Sequence, residues 1–152
     1  MSGNPNSAAI AKAPPTGLFR LTTDQWTKPF WDAAREHRLV GAACADCGRF
    51  RMPPTPFCPH CRSQRIDWRE LSGRGILYSY TIVARAIMPE MVDSIPYVPA
   101  LVNLPDAPGT RLITNVVGSP LGRLRIGAPL RVTWLDTDDG VTIPMFTLED
   151  NE

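Results

Sequence analysis

The chain has only two histidines and two lysines in 152 residues, and no apolar run approaching the roughly 20 residues that cross a membrane. With His37 and His60 as the whole histidine set, a Ser/His/Asp or Cys/His centre is hard to assemble. No GxSxG elbow is present, and Gly73-Arg74-Gly75 is too short for a phosphate-binding glycine loop. The N-terminus lacks a charged segment leading into an apolar one, so neither a signal peptide nor a membrane partner is expected. A net charge of +1 argues against a general polyanion binder. These absences point away from an enzyme acting by itself.

What the chain does have is four cysteines in two knuckles, Cys44-Ala-Asp-Cys47 and Cys58-Pro-His-Cys61. Two CxxC turns at this separation can bring four thiolates to the corners of a tetrahedron around one metal ion. Zinc suits such a site, because it accepts four sulfurs without redox demand. Gly48 can take positive φ and turn backbone N–H groups toward the sulfurs, and Pro59 pre-sets a tight turn. Iron in a Cys₄ site, disulfides and a redox CxxC remain alternatives. His60 reads as a loop histidine beside a filled sulfur shell. One structural Zn²⁺ per chain is the expectation, with Cys44, Cys47, Cys58 and Cys61 as ligands and no open position for Lewis-acid chemistry. A metal-binding set without export signals suggests a reducing cytoplasm.

The apolar fraction of 43% supports a modest core, but the segment around the cysteines is too short to fold on burial alone. Arginines gather in the middle, at 49, 51, 62, 65, 69 and 74, whereas the chain after Arg131 carries six acids and no base. The arginines are either a solvated surface or a phosphate-facing patch, since guanidinium suits bidentate phosphate contacts.

Four segments are expected. Residues 1–17 are small, polar and Pro-containing, without an apolar period, and should lack fixed structure. Residues 18–38 hold a helix opened by Lys28-Pro29 and running to about His37, with Phe30, Ala33, Ala34 and His37 on one face. Residues 39–72 form a zinc ribbon, with strands at Leu39–Ala43, Phe50–Met52 and Ile66–Leu71. Residues 73–152 show period-two patterning. Ile76, Tyr78, Tyr80, Ile82 and Ala84 are expected on one core face, followed by Val98–Leu104, Leu112–Val116, Leu130–Trp134 and Ile143–Leu148. Pro144 marks the last strand as an edge. Five short antiparallel strands fit an OB-like barrel, so the fold class is mainly β: an N-terminal helix, a zinc ribbon and a five-stranded OB-fold barrel. Asp138-Asp139-Gly140 is a hairpin turn, and Asp136, Asp138 and Asp139 read as solvated tip residues. Ser72–Gly75 reads as a turn and a hinge. Two apolar stretches are either packing or a partner surface: the aromatic segment with Trp26, Phe30 and Trp31, and the Ala86–Pro96 loop with Met88 and Met91.

The order Phe30-Trp31, Leu39-Val40, Cys44-Ala-Asp-Cys47-Gly48, Pro53-Pro54, Cys58-Pro-His-Cys61, Trp68, Ser72-Gly73-Arg74-Gly75, Tyr78-Ser-Tyr80-Thr, Pro96-Tyr97 and Ile126-Gly127 resembles the zinc-ribbon/OB-fold accessory proteins of thiolases. The resemblance implies a rubredoxin-like ribbon and a non-catalytic subunit that helps a thiolase-like enzyme bind or channel acyl-CoA. A hetero-oligomer, two plus two by analogy, goes with it. Under that reading Arg62, Arg65 and Arg74 are candidates for the CoA phosphates, and Trp26, Phe30, Trp31, Met88 and Met91 for the partner surface. The alternative is a zinc-ribbon/OB-fold nucleic-acid module. That would want exposed aromatics on the barrel, whereas Tyr78 and Tyr80 are expected in its core and the second half is acidic.

Overall fold

The structure, a computed structural model, describes residues 8–150. The expected unstructured segment falls partly outside it, at residues 1–7. Where it falls inside, the chain is tied down. Ala11 N–H donates to Ser119 O at 2.9 Å, Gly118 N–H donates to Ala11 O, and Ala11 is buried. The short run Ala8-Ala9-Ile10-Ala11 carries no period of its own, so this docking was not legible in the sequence.

Helix α1 spans Lys28–Arg35. Asp24 Oδ1 accepts the N–H groups of Trp26 and Thr27 ahead of it, and Pro29 stands in the first turn where no N–H is needed. Phe30, Ala33 and Ala34 are its buried face. The helix stops two residues before the expected His37. Arg38 N–H donates to Ala33 O and His37 N–H to Ala34 O, with His37 at φ 56°. This is a Schellman ending with histidine where glycine usually sits. His37 therefore leaves the helical face. Its ring stacks on Trp134, centroids 5.5 Å apart, and its Nε2 lies 3.0 Å from Asp136 Oδ1. Asp136 also accepts from Thr142 Oγ1 at 2.7 Å, so it is a strand-end partner and not a tip residue.

The ribbon is a three-stranded antiparallel sheet, β1 (Val40–Cys44) between β2 (Phe50–Arg51) and β3 (Ile66–Glu70). Its register pairs Ala43 with Phe50 and with Asp67. The following turn is anchored: Ser72 N–H donates to Asp106 Oδ2 at 2.8 Å, and Val132 N–H to Gly73 O. Gly73 has φ 87°, and a Cβ there would meet Val132 Cγ1 at 2.6 Å. The expected hinge is thus a close-packed corner.

The barrel comprises β4 (Arg74–Tyr80), β5 (Val98–Asn103), β6 (Arg111–Val116), β7 (Pro129–Asp136) and β8 (Thr142–Leu148). It closes in the order β4-β5-β6-β8-β7, with β4 returning to β7. This is the expected OB-type architecture. Leu77, Val98, Val102, Val116, Leu130 and Phe146 fill the interior. Ribbon residues Leu39, Val40 and Leu71, with Phe30 and Ala33 of α1, belong to the same continuous core.

Two expectations about the strands are corrected. In β4 the core face is Gly75 and Leu77, while Ile76 and Tyr78 point outward. A register shift between Leu77 and Ser79 then turns Tyr80 inward, where its hydroxyl reaches Leu124 O. Gly75 has to be small, because a Cβ there would lie 2.4 Å from Val102 Cγ1 and 2.9 Å from Phe146 Cε1. The sequence pattern hid this, since Gly75 carries no hydrophobic signal. The second correction is Pro144. β8 is not an edge, because it lies between β6 and β7. Its link to β6 is a single parallel pair, Val116 with Phe146, so the missing proline N–H falls where no second ladder runs.

Candidate metal centre and apolar cleft

Each knuckle is built by the same local bond. Gly48 N–H donates to Cys44 O, and Arg62 N–H to Cys58 O, both at 2.9 Å. Gly48 has φ 79° and Arg62 φ 64°, so Arg62 occupies the left-handed position that glycine holds in the first knuckle. The knuckles are clasped by Asp46, which accepts from Ser63 Oγ and from Arg65 Nη1 at 2.9 Å. Ala45 N–H donates to Arg65 O across the same gap.

The result is a compact sulfur cluster. All four Sγ atoms lie within 4.8 Å of one another. Cys44 and Cys61 are 3.5 Å apart, and Cys47 and Cys58 are 3.6 Å apart. A disulfide would need about 2.05 Å, so these are free thiols. The edge of a ZnS₄ tetrahedron with bonds of about 2.3 Å is about 3.8 Å, and the spacing fits. The electrostatics agree. The N–H of Cys47 points at Cys44 Sγ and, with that of Asp46, pulls its thiol down to about 6. The N–H groups of Cys61 and His60 lower Cys58 as well. For Cys61 the Ser63 N–H acts downward, but the sulfurs of Cys44, Cys47 and Cys58 and desolvation outweigh it, and its thiol is pushed up to about 12. Four thiolates this close ionise together only against a cation. His60 stays outside the cluster, against Arg49 Nη1 at 2.6 Å.

The three arginines proposed for phosphate are not brought together. Arg62 is exposed in the second knuckle, Arg65 is held by Asp46, and Arg74 lies 3.8 Å from Asp106. Arg65 and Arg74 flank opposite ends of β3. Arg51, counted in the basic stretch, is not on the surface at all. It is 5% exposed; Nε donates to Thr55 O, and Nη1 and Nη2 lack partners.

The apolar residues do converge. Phe30, Trp31, Met88 and Met91 line a cleft of about 670 Å³, closed on its other sides by residues 14–21 and by β6 and β8. Phe30 and Trp31 meet edge to face at 5.2 Å. Met91 is buried within a short 3₁₀ helix at Pro89–Ser94. Trp26 does not line the cleft. The most exposed apolar side chains that border it are Phe19 at 77%, Ile87 at 81% and Ile113 at 83%. Ile113 and its neighbour Asn115 were missed. The available signal was Ile113 itself, a bulky apolar residue on the outward phase of an alternating strand.

A Cys₄ cluster positioned to take a metal ion, on a three-stranded ribbon fused to a closed five-stranded barrel, defines the class of zinc-ribbon/OB-fold proteins. The ribbon, residues 31–67, matches the family model described as "ChsH2, rubredoxin-like zinc ribbon domain". Residues 68–135 match "ChsH2, C-terminal OB-fold domain". The chain belongs to this ChsH2/DUF35 family of zinc-ribbon and OB-fold proteins.

Among known proteins, it is 43% identical over 118 residues to a "Probable enoyl-CoA hydratase alpha subunit" of Thermomonospora curvata, covering 77% of this chain and 36% of that one. It is 32% identical over 125 residues to the "3-oxo-4,17-pregnadiene-20-carboxyl-CoA hydratase alpha subunit" of Mycobacterium tuberculosis, covering 82% of this chain and 39% of that one. The chain thus spans well under half the length of these two relatives. A "DUF35 domain-containing scaffold protein" of Pyrococcus furiosus is 36% identical over 81 residues, 52% of this chain and 57% of that one. Among solved structures, a chain of the "Ltp2-ChsH2(DUF35) aldolase" superposes with TM-score 0.76 at 38% identity, covering 85% of this chain and 98% of that one. Among the described residues, no helix is long and apolar enough to cross a membrane.

Proposed function

We propose that the chain is the non-catalytic partner subunit of a thiolase-type enzyme (thiolase, aldolase or acyltransferase), assisting acyl-CoA binding or channelling and holding the complex together. The observation that carries this reading is the match over 98% of a chain of the "Ltp2-ChsH2(DUF35) aldolase", at 38% identity. Cys44, Cys47, Cys58 and Cys61 hold one structural Zn²⁺, whose role is to order the ribbon. Trp31 and Met88, beside the exposed Ile87 and Phe19, would form the side that meets the partner, with the buried Phe30 and Met91 backing it and Trp26 a further candidate away from the cleft. Arg62 is free to face a CoA phosphate, whereas Arg65 and Arg74 would have to trade Asp46 and Asp106 for it. Reduced thiols of this kind belong in a cytoplasm.

The test is co-expression with a thiolase-like protein. Co-elution at the mass of a two-plus-two assembly is expected, with CoA-dependent turnover only in the complex. Turnover by the isolated chain, or no association, overturns the reading. Metal analysis should give near one zinc per chain, and iron or no metal would overturn that part.

One observation favours a second reading. Tyr78 is on the outside of the barrel, with the Arg111 guanidinium 3.8 Å over its ring, and outward aromatics are what single-stranded nucleic acid stacks on. Salt-sensitive nanomolar binding of single-stranded DNA or RNA, lost in Tyr78→Ala, would favour a nucleic-acid module.

A further inference from the structure

The barrel has a seam that its own strands leave unladdered. β6 meets β8 through the single parallel pair Val116 with Phe146, and toward Arg111 the two strands share no further pair. The phase of the β6 backbone follows from its neighbours. Pro99 O accepts from Thr81 N–H, on the β4 side of β5, and Pro99 lies opposite Asn115 as Leu101 lies opposite Ile113. Alternate residues of a strand turn their backbone groups to opposite edges. Leu112, Thr114 and Val116 therefore bond β5, while Arg111, Ile113 and Asn115 face the seam. Val117 N–H, in the same phase, donates to Phe146 O across it. Ile113 N–H and C=O have no backbone partner among the described residues. β8 does not zip the seam shut at Pro144, which lacks an N–H and whose O accepts from Thr114 Oγ1 at 2.8 Å. Residues 13–23 give β6 no backbone bond either, and Pro14 and Pro15 have no N–H to offer.

The cleft of about 670 Å³ lies along this seam, lined by residues 112–115 of β6 and 143–145 of β8. Ile113 is exposed there. An unpaired strand edge is a template for another extended chain, whereas a helix has bonded its backbone internally. The lining mixes Thr16 and Thr137 with Trp31, Ile87 and Met88, which suits a segment of alternating polar and apolar side chains. Its charged residues, Arg20 and Asp139, are of opposite sign, so neither an acidic nor a basic segment is selected. A second copy would bring its whole barrel with its edge, into a cleft walled by residues 14–21 and Met88; a loose segment would not.

We propose that a partner protein adds an extended segment to the seam edge of β6 as a further strand, with apolar side chains at alternate positions entering the cleft. The proposal goes beyond the partner-subunit reading and holds for any partner that carries such a segment. Its test uses the full chain alone, so its failure leaves the co-elution experiment untouched.

Hydrogen exchange on the free chain tests the edge itself. The amides of Leu112 and Thr114 should be protected by β5, and that of Ile113 should exchange freely. Slow exchange at Ile113 would overturn the proposal. The probe is the peptide acetyl-Lys-Val-Thr-Val-Thr-Val-Lys-amide, titrated to millimolar concentration while the amide resonances are followed. It should shift and protect Ile113. The same peptide N-methylated at every residue is more apolar but has no backbone donor for the edge, so it should bind at least about tenfold more weakly. Ile113→Pro removes an N–H that faces the seam and none that faces β5. It should keep the fold, checked by thermal melting, and lose the peptide, whereas Ile113→Thr should retain it. If Ile113→Pro does not fold, the N-methylated peptide decides on the parent chain. No shift at Ile113, or equal binding of the two peptides, would overturn the proposal. Dimerisation of the free chain that Ile113→Pro abolishes would give the edge to a second copy and overturn it as well.

Discussion

The tip of the ribbon and the barrel solve the same problem by opposite means. The barrel buries Phe146, Leu77, Leu130, Met145 and three valines almost completely. The ribbon tip, from Ala45 to Arg65, has Arg51 and Cys58 as its buried residues and relies on four sulfurs converging within 4.8 Å. Between them lies the ribbon's root, Leu39, Val40 and Leu71, which belongs to the barrel's core. The four sulfurs are therefore placed where burial runs out, and a small segment cannot remove enough apolar surface from water to offset its ordering entropy.

Removing the metal should break that division most sharply. Structural zinc contributes on the order of 10 kcal/mol to the segment it orders. Cys58→Ser, or a strong chelator, should abolish amide protection at Gly48, Cys58 and Arg62 while leaving β5, β6 and β7 protected in hydrogen exchange. Loss of protection throughout the barrel would show that the two regions do not stand apart.

The reverse break comes from the barrel. Phe146→Ala should cost about 3–5 kcal/mol in denaturant unfolding. The ribbon root should loosen with it, and the sulfurs should keep their zinc, measured by metal content after dialysis.

Arg51 sharpens the comparison within the tip. A buried guanidinium with two unpartnered nitrogens opposes folding, and an apolar residue of similar volume removes that penalty. Arg51→Met should raise stability by about 1 kcal/mol, read as a higher melting temperature at unchanged zinc content. A large loss would mean that the cation is satisfied in solution.

The smallest effect is at the seam of α1 and the barrel. Thr142 and then His37 hold the Asp136 carboxyl below its ordinary value of 3.8. A carboxylate lowered in the folded state binds fewer protons there than in the unfolded chain, so it adds stability above the unfolded value. That contribution is lost as pH falls from about 4 through the lowered folded value. Asp136→Asn should melt slightly lower than the parent at pH 7, with the difference closing as the pH drops below 4. A difference that grows on acidification would contradict the assignment.

Much of this was legible in the residues. The cysteine spacing predicted the sulfur cluster, and alternation in Val98–Leu104 and Leu130–Trp134 predicted two barrel walls on the correct face. β4 was misread because glycine gives no hydrophobic mark and a bulge reverses the phase of the strand after Leu77. His37 was placed on a helix because only a glycine marks a left-handed helix ending in the sequence, and here a histidine takes that conformation. The cleft was half legible: Phe30, Trp31, Met88 and Met91 announced themselves as apolar, but Ile113 and Asn115 needed a third dimension.

By itself the sequence determined the local chemistry of this protein: two knuckles able to share a metal, an amphipathic helix, and strands whose period selects a barrel. Spacing and periodicity are local quantities, and local sterics and hydrogen bonding act on them directly. Only the tertiary structure decided which arginines are paired, which face of β4 is inside, and that the Asn115 amide oxygen ends buried without a partner. Those outcomes depend on contacts between residues far apart in the chain, such as Asp46 with Arg65, 19 positions on, and His37 with Asp136, 99 positions on. Chain closure brings such groups together, and no pattern along the chain records it.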